Sequence, residues 1–330
     1  MNASPADLPL PRTSLRRRAE GTSLPVWLVF ALVFVVAWVA AGTRGGDFGT
    51  ADNLRNIALR SVALGLVAVG QTVVVLAGSL DLSVAYVVSL SAVACSVVMT
   101  GQTGLIVPGV LTALLLGVAV GLANGLVITR LKVNPFIATL GVSLVLRGLL
   151  NATFDNFAGA VPEEFQALGY DLVAGIPVSV VMLVAVVAVT WFLLHRTPFG
   201  HHLYAVGGDP ESARMSGIRS GRVLVFAHVL CALCSAASGV FLASRLGAGA
   251  PWVGPDGGYD LESIAAVVLG GTALTGGRGR LLGTVAAVLI LAVVDSVFNQ
   301  FQADPFLRTL VRGLIIVGAV ALYAYRGGRR

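Results

Sequence analysis

The sequence carries little charge for its length. Only 12% of its 330 residues are Asp, Glu, Lys or Arg, whereas 56% are hydrophobic, and the mean hydropathy is +0.89. Soluble domains contain roughly 25% charged residues, so this composition excludes a soluble globular protein and indicates an integral membrane protein. Because one membrane-spanning helix needs about 20 apolar residues, the chain has room for roughly eight to ten such helices and no separate soluble domain.

Lysine is nearly absent. Lys132 is the one lysine in the sequence and is followed by Val133, so the sequence contains no GK[ST] phosphate-binding loop. If ATP drives this protein, another chain must bind the ATP and Mg²⁺, and we expect no cofactor on this one. The net charge of +6 arises from arginines beside apolar runs. Such arginines set membrane orientation, so we expect no binding to nucleic acid.

Patterns typical of metal or redox sites are also scarce. The three cysteines are Cys95, Cys231 and Cys234, and the last two have CxxC spacing inside an apolar run. Cysteine behaves there as a small hydrophobic residue, so we expect no metal site. His201 and His202 lack a second group of ligands. The polar, basic N-terminus lacks the order of a secretory signal, so we expect the first span to be retained.

Apolar runs predict an all-α, polytopic membrane protein with about ten transmembrane helices. We place them near 26–42, 57–77, 83–99, 105–128, 135–150, 177–194, 223–243, 261–274, 281–298 and 306–325. The domain organisation is then a tail at 1–25, a transmembrane domain at 26–325 that includes a polar loop at 196–222, and a tail at 326–330.

Basic residues predict the orientation of these spans. Four arginines precede the first span and place the N-terminus in the cytoplasm by the positive-inside rule. Counting spans from there also places the loop at 196–222 and the C-terminus in the cytoplasm. The loop at 151–176 falls on the outside, and it contains four acidic residues but no lysine or arginine. We therefore expect both termini to be cytoplasmic.

Short internal matches predict two related halves. The segment 78–82 (GSLDL) is matched by 257–261 (GGYDL), and 135–140 (PFIATL) by 305–310 (PFLRTL). In the orientation above, the members of each pair enter the membrane from opposite sides. This is the pattern of an inverted-topology repeat, from which transporters build a central pathway.

The polar loop at 196–222 contains a predicted short helix. Asp209 suits the N-cap, Pro210 the first helical position, Glu211 the positive end of the helix dipole, and Gly217 a left-handed C-terminal position. We expect about two turns, from Pro210 to Ser216. Isolated helices in water need about 12–15 residues, so we expect this helix to pack on a partner. The alternative is a solvated connector with an ordinary capped turn.

Two uncharged polar residues lie within apolar runs. Gln71 lies in the second run and Asn124 in the fourth, where Gly117, Gly121 and Gly125 predict the close approach of another helix. Buried amides in a membrane need hydrogen-bond partners. Gln71 and Asn124 either contact a polyhydroxylated solute in a substrate pathway or bond to neighbouring helices.

Acidic residues near the spans also have two interpretations. Asp81 and Asp260 each follow a glycine-containing break and precede an apolar run, so we interpret both as caps of interrupted or terminal helices. A charge at the centre of a span costs roughly 2.5–3.5 kcal/mol, which disfavours the alternative of a proton relay. Asp295 and Arg147 are candidates for facing a polar interior.

A glycine-rich segment precedes the ninth run. It contains Gly270, Gly271, Gly276 and Gly277 but no lysine, so it does not fit a phosphate-binding loop. Irregular backbone at a membrane is tolerated where protein or a water-filled cavity satisfies it. We expect a gate, or a turn that faces an ATPase.

Several of these segments, taken in order, resemble the sugar-type permease subunits of bacterial ABC importers, the ribose, xylose and arabinose permease family. The matching segments are 80–85 (LDLSVA), 124–125 (NG) with 132–141 (KVNPFIATLG), 204–218 (YAVGGDPESARMSGI) and 258–279 (GYDLESIAAVVLGGTALTGGRG). They extend over about 70–313. The family usually carries Asn where Asp209 stands and Gly where Ala85 stands.

The resemblance implies a set of partners. These are a second permease copy or a related permease, a cytoplasmic ABC ATPase, a periplasmic sugar-binding protein and the lipid of the bacterial inner membrane. It also implies that the polar loop holds a coupling helix seated on the ATPase, with Gly207, Gly208, Asp209, Pro210, Glu211, Ala213, Ser216 and Gly217 as the coupling residues. The chain itself is then a transport subunit and no enzyme.

Other functions remain open at this point. A proton-coupled secondary transporter needs a buried titrating carboxylate, for which Asp81, Asp260 and Asp295 are the candidates. A membrane enzyme has no paired carboxylate or His/Cys set in its favour. Within the importer class, a deoxysugar or a furanosyl, autoinducer-type signal molecule is the alternative to a pentose.

Overall fold

The chain folds, in a computed structural model, into a bundle of long apolar helices. The structure describes residues 23–42 and 48–302, together with 304, 306, 307, 310, 311, 313, 314, 317 and 318. The helices are α1 (Leu24–Gly42), α2 (Ala51–Leu76), α3 (Val84–Met99), α4 (Ile106–Arg130), α5 (Pro135–Thr153), α6 (Glu163–Tyr170), α7 (Val178–Arg196), α8 (Pro198–Gly208), α9 (Pro210–Met215), α10 (Ser220–Leu246), α11 (Val253–Asp256), α12 (Tyr259–Leu269) and α13 (Leu281–Gln300).

Two short elements complete the described chain. A 3₁₀ turn, Thr103–Leu105, leads into α4. The strands β1 (Leu172–Val173) and β2 (Ile176–Pro177) form an antiparallel hairpin before α7, in which Val173 pairs with Ile176. The prediction of an all-helical membrane architecture is confirmed, with this hairpin as a small addition.

The number of spans differs from the prediction. Among the described residues, seven helices are long and apolar enough to cross a membrane, and α3 is a shorter apolar helix. The predicted span at 261–274 is not among these seven helices. In its place α12 has 11 residues, about 16 Å at 1.5 Å per residue, against a hydrocarbon core of about 30 Å. The helix ends early because Gly270 takes the C-cap position and Gly271 has φ +87°. Most of the predicted tenth span, 306–325, lies outside the described residues.

Helix α10 is the centre of the bundle and packs on α4, α2 and α3. The predicted glycine face of α4 is confirmed as its contact with α10. A Cβ added at Gly117 would lie 2.8 Å from the Cβ of Ala236, and one at Gly121 would lie 2.7 Å from the Cα of Val229. These separations are too short for side chains, so the two backbones meet directly.

Helix α2 is enclosed by protein on all sides through most of its length. Every residue from Ser61 to Leu76 is buried, and α7, α10, α12 and α13 all pack against the helix. Its apolar residues occur all round the helix, which is the pattern of a core helix and not of a helix that faces lipid on one side.

Two irregular segments interrupt the helical bundle. One joins α2 to α3 and contains Gly78, with φ +76°; the other joins α12 to α13 and contains the glycine-rich segment. The cap positions next to them differ from the prediction. Ser83 takes the N-cap of α3 in place of Asp81, and Gly258 takes the N-cap of α12 in place of Asp260. Asp260 lies in the first turn of α12, where its carboxylate accepts a hydrogen bond from the Leu261 N–H.

Candidate functional site

The short helix α9 is held by its own cap. Asp209 is the N-cap residue, and its Oδ1 accepts hydrogen bonds from the backbone N–H groups of Glu211 (3.0 Å) and Ser212 (3.3 Å). The Ser212 hydroxyl donates to Asp209 Oδ2 at 2.6 Å. The Ser212 hydroxyl above all, followed by the two N–H groups, lowers the pKa of Asp209 below its ordinary value. The predicted capped helix is confirmed, one residue shorter than expected.

A glycine follows the C-terminal end of α9, and the two sides of the helix differ in exposure. Gly217 closes the helix with φ +82°, and its N–H donates to the Arg214 carbonyl. Ala213 is buried, whereas Glu211 and Arg214 form an exposed ion pair at 2.8 Å and Met215 is 84% exposed. Ser216, at the C-cap, donates its hydroxyl to the Ser212 carbonyl. One side of α9 is therefore anchored and the other faces outward.

Glycines join the segment before α9 to the two irregular segments. A Cβ added at Gly207 would lie 1.8 Å from the Leu76 carbonyl oxygen and 2.6 Å from the Gly277 nitrogen. The Gly277 N–H donates to that same Leu76 carbonyl at 2.9 Å. A Cβ added at Gly276 would lie 2.7 Å from the Gly207 carbonyl oxygen and from the Cα of Gly78. We call this contact of Leu76, Gly78, Gly207, Gly276 and Gly277 the glycine junction.

The rest of the glycine-rich segment packs on α13 and α8. Gly270 lies against Gly283, because an added Cβ would come 2.6 Å from the Gly283 carbonyl carbon. The Tyr204 hydroxyl of α8 donates to the Gly279 carbonyl at 3.1 Å. Burial raises the pKa of Tyr204, and the nearby charge of Arg280 partly opposes that rise. The segment therefore lies beside the α8–α9 region; its role as a gate or an ATPase-facing turn stays a prediction.

A buried polar cluster lies where the α2–α3 connection meets α10. His228 of α10 is fully buried, its Nδ1 lies 3.0 Å from Asp81 Oδ2, and its Nε2 lies 3.0 Å from the Ser79 hydroxyl. The hydrogen-bond pattern assigns the Nδ1 proton to the Asp81 contact. Asp81 Oδ1 also accepts from the Ser83 hydroxyl at 2.6 Å and from the Ser83 N–H at 2.9 Å. These bonds fix the connection to α10.

The two predicted pathway amides belong to the same cluster. Asn124 Nδ2 donates to Asp81 Oδ2 at 3.2 Å and to the Ser83 hydroxyl at 2.8 Å. Gln71, with its amide oriented to match its neighbours, donates to the Asp81 carbonyl (3.2 Å) and accepts from the Asp81 N–H (3.3 Å). Both side chains are fully buried. Both amides therefore bond to the α2–α3 connection, and contact with a substrate stays a prediction for both residues.

An open cleft of about 710 Å³ lies at the other end of α10. It is lined by residues 56–64 of α2, the C-terminal end of α10, α11, the start of α12, the middle of α13, and Tyr170. Asp295 of α13 lines it, as expected of a residue that faces a polar interior. Arg147 is on α5 and is exposed there, away from the described lining of this cleft.

Comparison with known protein families matches residues 53–320 to the family described as branched-chain amino acid transport system / permease component. The matched segment covers most of the chain. The chain belongs to this permease family. Individual relatives agree. The permease is 41% identical over 280 residues to the ribose import permease protein RbsC of Bacillus subtilis, covering 82% of this chain and 84% of that protein.

Two further relatives come from Escherichia coli K12. The permease is 38% identical over 304 residues to the L-arabinose transport system permease protein AraH, with 89% of each chain covered. It is 34% identical over 302 residues to that organism's ribose import permease protein RbsC, covering 88% of this chain and 91% of that protein. No solved structure matches the chain. The resemblance to the ribose and arabinose permeases is confirmed, and the chain is a multi-pass transport subunit and not an enzyme.

Sequence reasoning missed two features of this permease. It did not single out His228, although a histidine in the middle of an apolar run signals a buried hydrogen-bonding site. It also missed the cleft, because Arg60, Arg245 and Glu262 lie on three different helices and form no motif along the chain. Only the folded bundle brings these three residues together.

Proposed function

We propose that this chain is the membrane permease of an ATP-driven importer for a pentose sugar. The observation that carries the proposal is the identity of 34–41% over most of the chain with two ribose permeases and an arabinose permease. The chain contributes the translocation pathway, and a partner chain binds and hydrolyses ATP. Consistent with this division, the sequence has no phosphate-binding lysine loop.

The orientation follows from the basic residues. Both termini and α9 lie on the cytoplasmic side of the bacterial inner membrane, and α6 lies on the periplasmic side. The exposed face of α9, with Glu211, Arg214 and Met215, docks on the cytoplasmic ATPase. A periplasmic sugar-binding protein delivers the sugar to the opposite end, and a second permease completes the assembly. The two sequence matches described above relate the halves of each permease as an inverted repeat.

The glycine junction supports a mechanism for coupling. When ATP closes the ATPase pair, α9 moves with it. Gly207 passes that movement to the end of α2 and to the glycine-rich segment, because backbone contacts backbone there without side chains between them. The cluster around Asp81 keeps the α2–α3 connection fixed to α10, so the helices move as units. Transport requires that the sugar bind differently to the two resulting states.

A second function has one observation in its favour. Asp81 and His228 are both ionisable and fully buried, and ionisable residues inside a membrane protein often form proton relays. A proton-coupled transporter would need Asp81 to change protonation. The hydrogen bonds that Asp81 accepts from Ser83, Asn124 and His228 match a structural carboxylate equally well. Among importers, a deoxysugar or furanosyl signal molecule is the alternative cargo.

Reconstitution tests the proposal. The permease is incorporated into vesicles with its ATPase and binding protein, and uptake of labelled D-ribose and L-arabinose is measured with and without ATP. We expect uptake only with ATP and both partners, and we expect it to persist in Asp81→Asn vesicles that still contain the assembled complex. Uptake by the permease alone along a proton gradient, abolished by Asp81→Asn, would establish the proton-coupled alternative.

A further inference from the structure

The cleft at the end of α10 has an unusual lining for an apolar protein. Among the described residues, five charged side chains and two tyrosines line it: Arg60, Arg245, Asp256, Glu262, Asp295, Tyr170 and Tyr259. The same lining includes a floor of Ala63, Leu64, Val288 and Leu291. Its volume of about 710 Å³ lies within the range of roughly 300–1,000 Å³ that is typical of small-molecule sites.

We propose that this cleft binds the transported pentose, as a site within each permease chain. The inference rests on the proposed function and adds the place where the sugar is held. The cleft lies at the opposite end of α10 from α9, a helix of 27 residues or about 40 Å, so it opens on the side that receives the sugar.

Membrane proteins retain charged side chains where they serve a function, because burying a charge in a span costs roughly 2.5–3.5 kcal/mol. Glu262 is half-buried and Asp295 is only 9% exposed, and both belong to apolar helices. Each of the two has an interaction partner within the structure. A side chain that already has a partner loses less freedom when a solute binds to it.

Arg245 at the rim is held in the same way. Its guanidinium lies 4.6 Å from the ring centroid of Tyr170 and donates to the Gly169 carbonyl at 3.1 Å. The Tyr170 hydroxyl donates in turn to the Arg245 carbonyl at 2.7 Å. The end of α10 and helix α6 thus form one rigid edge of the cleft.

The composition of the lining matches a sugar better than an ion. Among the described lining residues, two arginines stand against three carboxylates, so neither sign of charge dominates. A pentose has hydroxyl groups that both donate and accept hydrogen bonds, and carboxylates and guanidinium groups satisfy both roles. Its C–H face is apolar and can lie on Tyr259 or on the floor formed by Leu64 and Val288.

Conversion of the carboxylates to amides tests the proposal in the reconstituted complex. Glu262→Gln and Asp295→Asn keep the side-chain shape but remove the charged acceptors. We expect at least a tenfold higher KM for pentose uptake in each, with binding-protein-stimulated ATP hydrolysis within twofold of wild type. Glu163→Gln, the same change at an exposed position on α6 outside the described lining, serves as the matched control and should leave both quantities unchanged.

Cysteine labelling gives a second measurement that does not depend on transport. The native cysteines are all buried, so a thiol introduced at the exposed, cleft-lining Asn56 is labelled selectively by a small polar reagent. Saturating D-ribose or L-arabinose should slow labelling of Asn56→Cys at least threefold. The sugar should not change the labelling rate of Asp52→Cys, which lies one turn earlier on α2 and outside the described lining.

The outcomes separate the two proposals. If wild type imports pentose but the cleft variants keep a normal KM and sugar gives no protection, the cleft site is overturned and the importer function stands. If the variants lose stimulated ATP hydrolysis with an unchanged KM, the cleft is a docking surface for the binding protein, which also overturns the sugar site. If wild type imports neither sugar with ATP and both partners, the proposed function itself fails.

Discussion

Gly207 is the residue whose replacement tests the glycine junction most directly. In Gly207→Ala the new methyl would lie 1.8 Å from the Leu76 carbonyl oxygen and 2.6 Å from the Gly277 nitrogen. Real Cβ contacts are essentially never shorter than 3.0 Å, so the Leu76 contact must open by about 1.2 Å. That movement also separates the Gly277 N–H from the Leu76 carbonyl, which it bonds at 2.9 Å.

The expected cost follows from these two effects. Overpacking of a tight contact costs about 1–3 kcal/mol, and loss of one intramolecular hydrogen bond costs about 0.5–1.5 kcal/mol. We therefore expect Gly207→Ala to lower the free energy of unfolding by about 2–4 kcal/mol. The neighbouring Gly208 offers a matched control, because an added Cβ there meets no atom within 4 Å. Gly208→Ala places a better helix former at the last residue of α8. It should change the free energy of unfolding by less than about 1 kcal/mol.

Two assays on the same pair of variants check this reasoning. Thermal unfolding of the detergent-purified proteins compares stability, and ATP-driven uptake in vesicles compares coupling. We expect Gly207→Ala to unfold at a clearly lower temperature and to take up less sugar for each ATP hydrolysed, whereas Gly208→Ala should match wild type in both. Equal behaviour of the two variants would show that the junction neither stabilises the fold nor transmits movement.

Three further predictions concern the cap of α9 and the buried cluster. The double change Asp209→Ala with Glu211→Lys should leave the protein in the membrane but uncouple ATP hydrolysis from uptake; normal coupled uptake would contradict the assignment of α9. His228→Leu removes the ring that contacts Asp81 and should lower the free energy of unfolding, measured with denaturant, by about 1.5–3 kcal/mol. This loss should exceed that of Asp81→Asn, in which His228 is retained. Ser212 lowers the pKa of Asp209 in the folded protein. The Asp209 cap should therefore stabilise α9 fully above the ordinary Asp pKa of about 3.9. This stabilisation should be lost as the pH falls through the lower pKa that Asp209 has in the folded protein. Hydrogen exchange of the Glu211 amide should follow that loss in wild type and not in Asp209→Ala; an unchanged exchange rate across this range would refute it.

Local features of this chain could be predicted from sequence because their causes are local. The N-cap at Asp209 and the helix end at Gly217 each depend on residues close by in the sequence. The glycine face of α4 follows from the four-residue spacing of its glycines. The length of α12 could not be predicted, because its apolar run continues past Gly270 and only the fold shows that the backbone turns there.

The role of Asp81 was beyond sequence reasoning for a similar reason. A carboxylate beside a glycine break fits a helix cap, and nothing nearby in the chain signals that Asn124 and His228 will arrive from other helices. Their contacts with Asp81 join residues 43 and 147 positions apart. The cleft likewise depends on long-range packing, since its charged residues come from α2, α10, α11, α12 and α13.

The enclosure of α2 also constrains how the protein is made. Helix α2 is synthesised early, yet α10, α12 and α13, which surround it, follow only after residue 220. Until then its surface from Ser61 to Leu76, which is mostly apolar, must face lipid. Biogenesis therefore ends with displacement of lipid from α2. Helices α2 and α10 must then come very close together, because Gly70 meets the Cα of Cys231 without room for a methyl group. A bulkier residue at position 70 would stop maturation at that late step, after every helix has already been inserted.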